Sequence, residues 1–316
     1  MTSPNPVPVA AIDCGTNSTR LLISDGANAL ERRTTITRMG QGVDATGKLH
    51  PDAIERVVDV LGEYRQLLDQ HQVANARITA TSAARDASNA EEFFAAAEAA
   101  IGFRPEVLSG AEEGRLSFAG ATAELFDADG SPVLEGLRAP YLVVDIGGGS
   151  TELIVGNTEA DGVRSLDIGC VRLSERYVEN DPALPEELVA CLSIAEAHLD
   201  ECLRLVPEIG AAQTLIGVAG TITTAAMVEI GMADYDRDQV HHFRLDRDAA
   251  EDVFRTLATE SREERLGNPG LEEARADVIV AGLCILMQVM RQFDFDECIV
   301  SESDILDGLI ASQLQR

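Results

Sequence analysis

YLVVDIGGGSTELIVG, residues 141–156, is unusual in the residues that succeed its glycines. A common phosphate loop runs from a strand through glycines into a helix, whose first N–H groups face the anion. Here the apolar run ending at Asp145 is followed by Gly147, Gly148 and Gly149. Then Thr151, Leu153 and Val155 alternate with Glu152 and Ile154. That β-branched run predicts a second strand. Strand, Asp, three glycines and strand make a hairpin whose turn can bring several backbone N–H groups to a phosphate without side-chain collision. The same order occurs near the start, with a strand over 7–12, the turn DCGTNS and a strand over 19–24. Asp13 aligns with Asp145, Gly15 with Gly147, Ser18 with Ser150 and Thr19 with Thr151, whereas Arg20 aligns with Glu152. A shared context over so many positions indicates two copies of one domain type.

A chain of 316 residues with 45% hydrophobic content suits two domains. Its formal net charge of −29 argues against nucleic acid or an anionic membrane as partner, since both require a basic footprint. A polyanionic substrate is compatible only with locally concentrated cations, and these are nearly all arginine because Lys48 is the only lysine. The lack of a Gly-Lys-Ser/Thr motif or a cleft lysine disfavours Walker-type and Schiff-base chemistry. MTSPNPVPVA has no export signal and no apolar run is long enough to span a bilayer, so the expectation is a soluble, cytoplasmic protein. The six cysteines are scattered without a Cys-x-x-Cys pair and read as buried free thiols.

Between the hairpins, helical spacing predicts helices over 51–70 and 90–101, with a short strand over 77–80 and a strand end at 107–109. Beyond the second hairpin come a strand near 165–168, a helix over 185–205 and a strand over 215–218 leading into a helix. After a polar connection, an apolar helix is expected over 271–293, then a strand at 299–300 and a closing helix over 305–314. The Gly- and Pro-containing segment 127–140 is the best boundary. Alternating strands and helices with two related hairpins give an α/β protein of two similar lobes around a cleft.

Several groups carry candidate chemistry. Asp145 and Glu152 flank the glycine turn, and a hard cation such as Mg2+ takes a few carboxylates while keeping sites for water and phosphate. Arg85, in TSAARDASN, has a planar fork suited to phosphate, although an ion pair with Asp86 is the bland reading. In LSGAEEGRLSF a carboxylate at a strand-to-helix junction can act as a general base, and the residues alone do not choose Glu112 or Glu113. Gly220 and Thr221 open a helix and form a second phosphate candidate. His241 and His242 lack partners at metal-ligand spacing and read as structural.

The set DCGTNSTRLLI, ATSAARDASN, LSGAEEGRLSF, VVDIGGGSTEL, DIGCVRLSE, GVAGT and RADVIVAG resembles the exopolyphosphatase and guanosine pentaphosphate phosphohydrolase family, in order over nearly the whole chain. The resemblance implies two ribonuclease-H-like lobes of the actin, sugar kinase and heat-shock ATPase superfamily, assigned as 1–127 completed by 301–316, and 128–300. It implies Glu113 as the catalytic glutamate, Arg85 as substrate-binding, Asp145 and Glu152 as metal-associated acids, and Gly147, Gly148, Gly149 and Ser150 as the phosphate loop. Asn17 and Ser18 belong to the partner hairpin. Mg2+, with Mn2+ as an alternative, and a homodimer are further expectations. The chain resembles the short form, without the additional helical region of long members. It departs from the family in SESDILDGLI, where Asp307 stands in place of an arginine. That departure and the net charge favour short-chain polyphosphate. The alternatives are hydrolysis of guanosine pentaphosphate, an actin-like ATPase, and a non-catalytic sensor of phosphorylated ligands.

Overall fold

The computed structural model describes residues 7–126 and 130–314. Both hairpins form. β1 (Val9–Cys14) and β2 (Ser18–Ser24) are antiparallel with Asp13 opposite Arg20. β3 (Ala29–Ile36) extends the meander, while β4 (Asn75–Ala80) joins β1 in parallel and β5 (Glu106–Val107) joins β4. The sheet order is β3-β2-β1-β4-β5.

The second lobe repeats this plan. β6 (Tyr141–Ile146) and β7 (Thr151–Gly156) are antiparallel with Asp145 opposite Glu152, in the register of Asp13 and Arg20. β8 (Ala160–Leu166) continues the meander, β9 (Thr214–Val218) runs parallel to β6, and β10 (Arg244–Asp246) is an edge strand on β11 (Glu297–Val300). The order β10-β11-β9-β6-β7-β8 contains the first lobe's order plus one edge strand. Every residue of β6 and β7 is buried, which explains their near-continuous apolar character. The protein is therefore a two-lobed α/β fold with a ribonuclease-H-like sheet in each lobe.

Helices Pro51–Gln70, Ala90–Ile101, Pro185–Leu205 and Ile305–Leu314 match the bounds read from their periodicity. Two expectations are corrected. The helix over 271–293 starts at Ile279. Residues 272–278 instead form tight turns, with Arg275 N–H donating to Glu272 O (2.9 Å) and Val278 N–H to Arg275 O (3.0 Å). The polar connection contains β10 and a helix, Arg247–Thr259, that buries Ala250, Val253 and Leu257. The assigned lobe boundary at 127/128 lies outside the described residues, as do 1–6 and 315–316.

Two helices cross between the lobes. Gly110–Ala123 places Phe118 and Ala121 against Val143, Ile154 and Ile216 of the second sheet, while Ile305–Leu314 packs Ile305 and Leu309 against Ala11 and Leu22 of the first. They meet through glycines. A Cβ on Gly120 would lie 1.8 Å from the Asp304 carbonyl oxygen, and one on Gly308 2.1 Å from that of Leu116.

Candidate active site

The two hairpin turns meet in a cleft of about 490 Å³ lined by residues from both lobes. Each turn closes in the same way, with Gly15 N–H donating to Ser18 O (2.9 Å) and Gly147 N–H to Ser150 O (3.0 Å). The turns are so close that a Cβ on Gly148 would sit 3.0 Å from Thr16 Cβ, and one on Gly149 2.6 Å from Ser82 Oγ. These glycines therefore serve the apposition of the lobes as well as the approach of an anion. The carbonyl of Gly147 accepts from Cys170 N–H, and that of Gly148 from Val171 and Arg172 N–H. Among the described residues nothing accepts from Gly148 or Gly149 N–H, so these donors are free for phosphate oxygens.

Asn17, Ser18, Ser150, Gly220 and Thr221 also line the cleft. Asn17 is buried with neither its amide nitrogen nor its oxygen partnered, and the Thr16 hydroxyl is unpartnered as well. Buried polar groups without partners are costly, so these suit a polar ligand. Ala219, at the start of helix Gly220–Ile230, has a left-handed φ of 69°, a strained conformation for a residue with a Cβ.

Carboxylates dominate the floor. Asp13, Glu113, Asp145 and Asp304 are buried and line the cleft. Ser117 Oγ donates to Asp145 (2.7 Å) from the helix that also carries Glu113. Burial pushes Asp145 up to about 6 against that bond and Arg20, with Asp304 and Asp13 pushing it further. Burial also pushes Glu113 up to about 7 despite Arg85. Arg20 alone bridges two of these acids, bonding Asp13 (2.8 Å) and Asp304. The floor is short of positive charge, and a divalent cation fits that deficit. Among the described residues no three His, Cys, Asp or Glu side chains converge to hold a metal by themselves.

Two expected site residues lie behind the cleft wall. Glu152 is 1% exposed, is absent from the cleft lining, and accepts from Ser165 Oγ (2.7 Å). Cross-strand pairing puts it on the same sheet face as Asp145, but one strand further under helix Gly110–Ala123, where burial raises its carboxyl well above the usual range. Arg85 is likewise absent from the lining. It donates to Glu113 (2.7 Å) and to the Leu108 carbonyl (2.9 Å), and Asp86 pairs with Arg172 instead. In this structure Arg85 orients Glu113.

Removing it has a signed consequence. In Arg85→Gln the opposing charge is lost and Glu113 titrates higher, so the acidic limb of the pH–rate profile moves to higher pH. Activity near pH 7 then falls about tenfold and partly recovers at pH 9. A limb that stays in place would refute this role.

Five cleft arginines escaped the sequence reading in this role: Arg20, Arg32, Arg33, Arg237 and Arg275. Arg20 is anticipated only as the cationic counterpart of Glu152. Arg32 and Arg33 lie on β3, which was not anticipated, and Arg237 and Arg275 lie in segments read as connection or helix. The β-branched run Thr34, Thr35 and Ile36 was the available signal for β3. His241 is structural: its Nδ1 accepts from Glu302 N–H (3.1 Å), Nε2 lies 2.8 Å from Glu124, and its ring stacks on His242 at 3.7 Å.

A family model described as the Ppx/GppA phosphatase family matches residues 22–316. The chain belongs to this family. It is 40% identical over 321 residues to exopolyphosphatase 2 of Mycobacterium tuberculosis H37Rv, covering 96% of this chain and 98% of that protein. It is 28% identical to the guanosine-5'-triphosphate,3'-diphosphate pyrophosphatase of Photobacterium profundum, covering 97% of this chain but 59% of that one. The crystal structure of an exopolyphosphatase-like protein superposes with a TM-score of 0.92 at 36% identity, covering 98% of this chain and 99% of that one. As a member of the Ppx/GppA phosphatase family, the protein is a phosphoanhydride hydrolase, with its glycine hairpins and Glu113 at the cleft. No helix among the described residues is long and apolar enough to cross a membrane.

Proposed function

We propose that the protein is an exopolyphosphatase that releases the terminal phosphate of inorganic polyphosphate, with short chains preferred and Mg2+, or Mn2+ in its place, required. The observation that carries this reading is the cleft itself: two glycine turns and Glu113 at its floor, five arginines in its walls, and among the described lining residues Tyr235 as the only aromatic ring. Such a site recognises a ligand through phosphates rather than through a stacked base.

Glu113 accepts a proton from a water as that oxygen attacks the terminal phosphorus and the P–O bond to the chain breaks, releasing orthophosphate. Arg85 keeps Glu113 aimed, Ser117 keeps Asp145 aimed, and the Gly148 and Gly149 N–H groups with Asn17 hold the terminal phosphoryl oxygens. Asp145 would hold Mg2+, which neutralises phosphate charge when bound. Phosphoryl transfer asks chiefly for such positioning and neutralisation.

Phosphate release is measured with tripolyphosphate, long-chain polyphosphate, guanosine pentaphosphate and ATP in parallel. Release from polyphosphate supports the reading, release from the pentaphosphate alone transfers the substrate, and release from none removes catalysis. The metal has its own test. Because a carboxylate must be deprotonated to bind it, the rise in Tm produced by Mg2+ is larger at pH 8 than at pH 5.5 and shrinks in Asp145→Asn. Cytoplasmic location accords with the six buried free cysteines. A homodimer is the family-based expectation, tested by sedimentation.

A further inference from the structure

The cleft arginines are not free cations. Arg32 donates to Asp307 (2.7 Å) and to the Glu302 carbonyl (3.3 Å), and the Arg32 and Asp307 side chains are only 23% and 20% exposed. Arg32 lines the cleft, whereas Asp307 does not. A partly enclosed carboxylate stripped of its cation is strongly disfavoured, so Arg32 does not readily exchange Asp307 for a ligand oxygen.

Its position gives this pairing a consequence. Arg20 and Leu22 are two residues apart on β2, and Arg32 lies opposite Leu22, so Arg20 and Arg32 project from one face of the sheet. β2 begins at the glycine turn, which places Arg32 about 7 Å further from that turn than Arg20. A ligand meets Arg32 only if it extends past the hairpins. The start of helix Ile305–Leu314 occupies both cations from the other side, with Asp304 on Arg20 and Asp307 on Arg32.

We propose that Asp307 is a specificity-determining residue that limits chain length, by holding Arg32 away from a linear polyphosphate reaching beyond the two glycine turns. The inference rests on the polyphosphate reading of the cleft. Asp307 is a positioning residue that acts through Arg32 and touches no phosphate itself.

Asp307→Asn separates its two bonds. One carboxylate oxygen accepts from Asp304 N–H (2.9 Å) and the other from Arg32. Asparagine keeps an acceptor for the first and turns a donor toward the second, so the helix start is retained and the restraint is lost. With Mg2+ and the full chain, KM for long-chain polyphosphate is expected to fall about tenfold, while KM for tripolyphosphate and both kcat values move little. Asp307→Glu restores the wild-type ratio of long-chain to short-chain KM. The double variant Asp307→Asn with Arg32→Gln loses the gain. The charge-matched double with Arg255→Gln, at an exposed helix position, keeps it.

An unchanged ratio in Asp307→Asn, a gain equal for all lengths, or a gain surviving Arg32→Gln would overturn the proposal. Should the asparagine variant unfold, Asp307→Ser removes the same charge and leaves a hydroxyl acceptor. If wild type releases no phosphate from any polyphosphate, the functional reading fails on its own. Equilibrium binding of long-chain polyphosphate to wild type and Asp307→Asn then still decides the role of Asp307, with equal affinities counting against it.

Discussion

Glu113→Gln lowers kcat by roughly 10²- to 10⁴-fold with little change in KM, the range expected when a general base is lost while binding groups stay. Glutamine is isosteric and keeps an acceptor for Arg85, so the constellation around the water is altered in proton affinity rather than in shape. The pH dependence carries a sign. Burial holds the Glu113 carboxyl up near about 7, and the base works only when ionised, so wild-type activity falls as pH drops through that value. The residual activity of the variant lacks this limb. Stability runs the opposite way. A carboxyl whose folded pKa lies above its unfolded value of 4.5 contributes stability that is complete below about 4.5 and is lost as pH rises through about 7. The Tm of Glu113→Gln relative to wild type, measured without metal, therefore rises between pH 5 and pH 8. A kcat within threefold of wild type would remove Glu113 from the reaction. A Tm difference that falls with pH would contradict the burial account.

Gly120→Ala is the largest structural perturbation expected from a single methyl. Its Cβ would lie 1.8 Å from the Asp304 carbonyl oxygen, and Gly308 N–H is 3.1 Å from the same position. Both neighbours are backbone, so no side chain can swing away, and the crossing helices must separate. Overpacking of this kind costs about 3 kcal/mol, or a fall in Tm of about 5 °C. The change also reaches the site, because Asp304 holds Arg20 and the residues after it begin the helix that covers the first lobe. Activity at a temperature where the variant is fully folded should fall at least about tenfold through misplacement of the floor. Gly62→Ala is the control, since a Cβ there meets nothing within 4 Å. Equal melting temperatures for Gly120→Ala and wild type would mean that the crossing is looser than the geometry indicates.

Much of this site was legible before the structure because its most informative features are local. Glycines between two alternating runs specify a turn between strands, and the repeated Asp-x-Gly-x-x-Ser-Thr spacing predicts a common register, which Asp13 opposite Arg20 and Asp145 opposite Glu152 display. Periodicity likewise sufficed for Pro51–Gln70 and Pro185–Leu205, whose apolar stripes are long and end in ordinary helix signals. It failed for residues 272–278, a mostly charged stretch read as the first turns of the apolar helix that follows, whereas Glu272 and Arg275 close tight turns at the cleft edge. It also failed for β3, whose exposed edge position leaves little apolar alternation to read.

By itself, then, the sequence determined two glycine hairpins, their alternation with helices, and a shortlist of acids with Arg85, because backbone turns and hydrophobic periodicity are properties of neighbouring residues. Only the tertiary structure decided which of those groups face the cleft. Glu152 and Asp145 share a sheet face, yet the helix carrying Glu113 seals one and leaves the other open. Arg85 turns to Glu113, and Arg20 meets Asp304 across 284 positions of chain. These choices depend on how two crossed helices seat the lobes, a relation between residues that no local pattern contains.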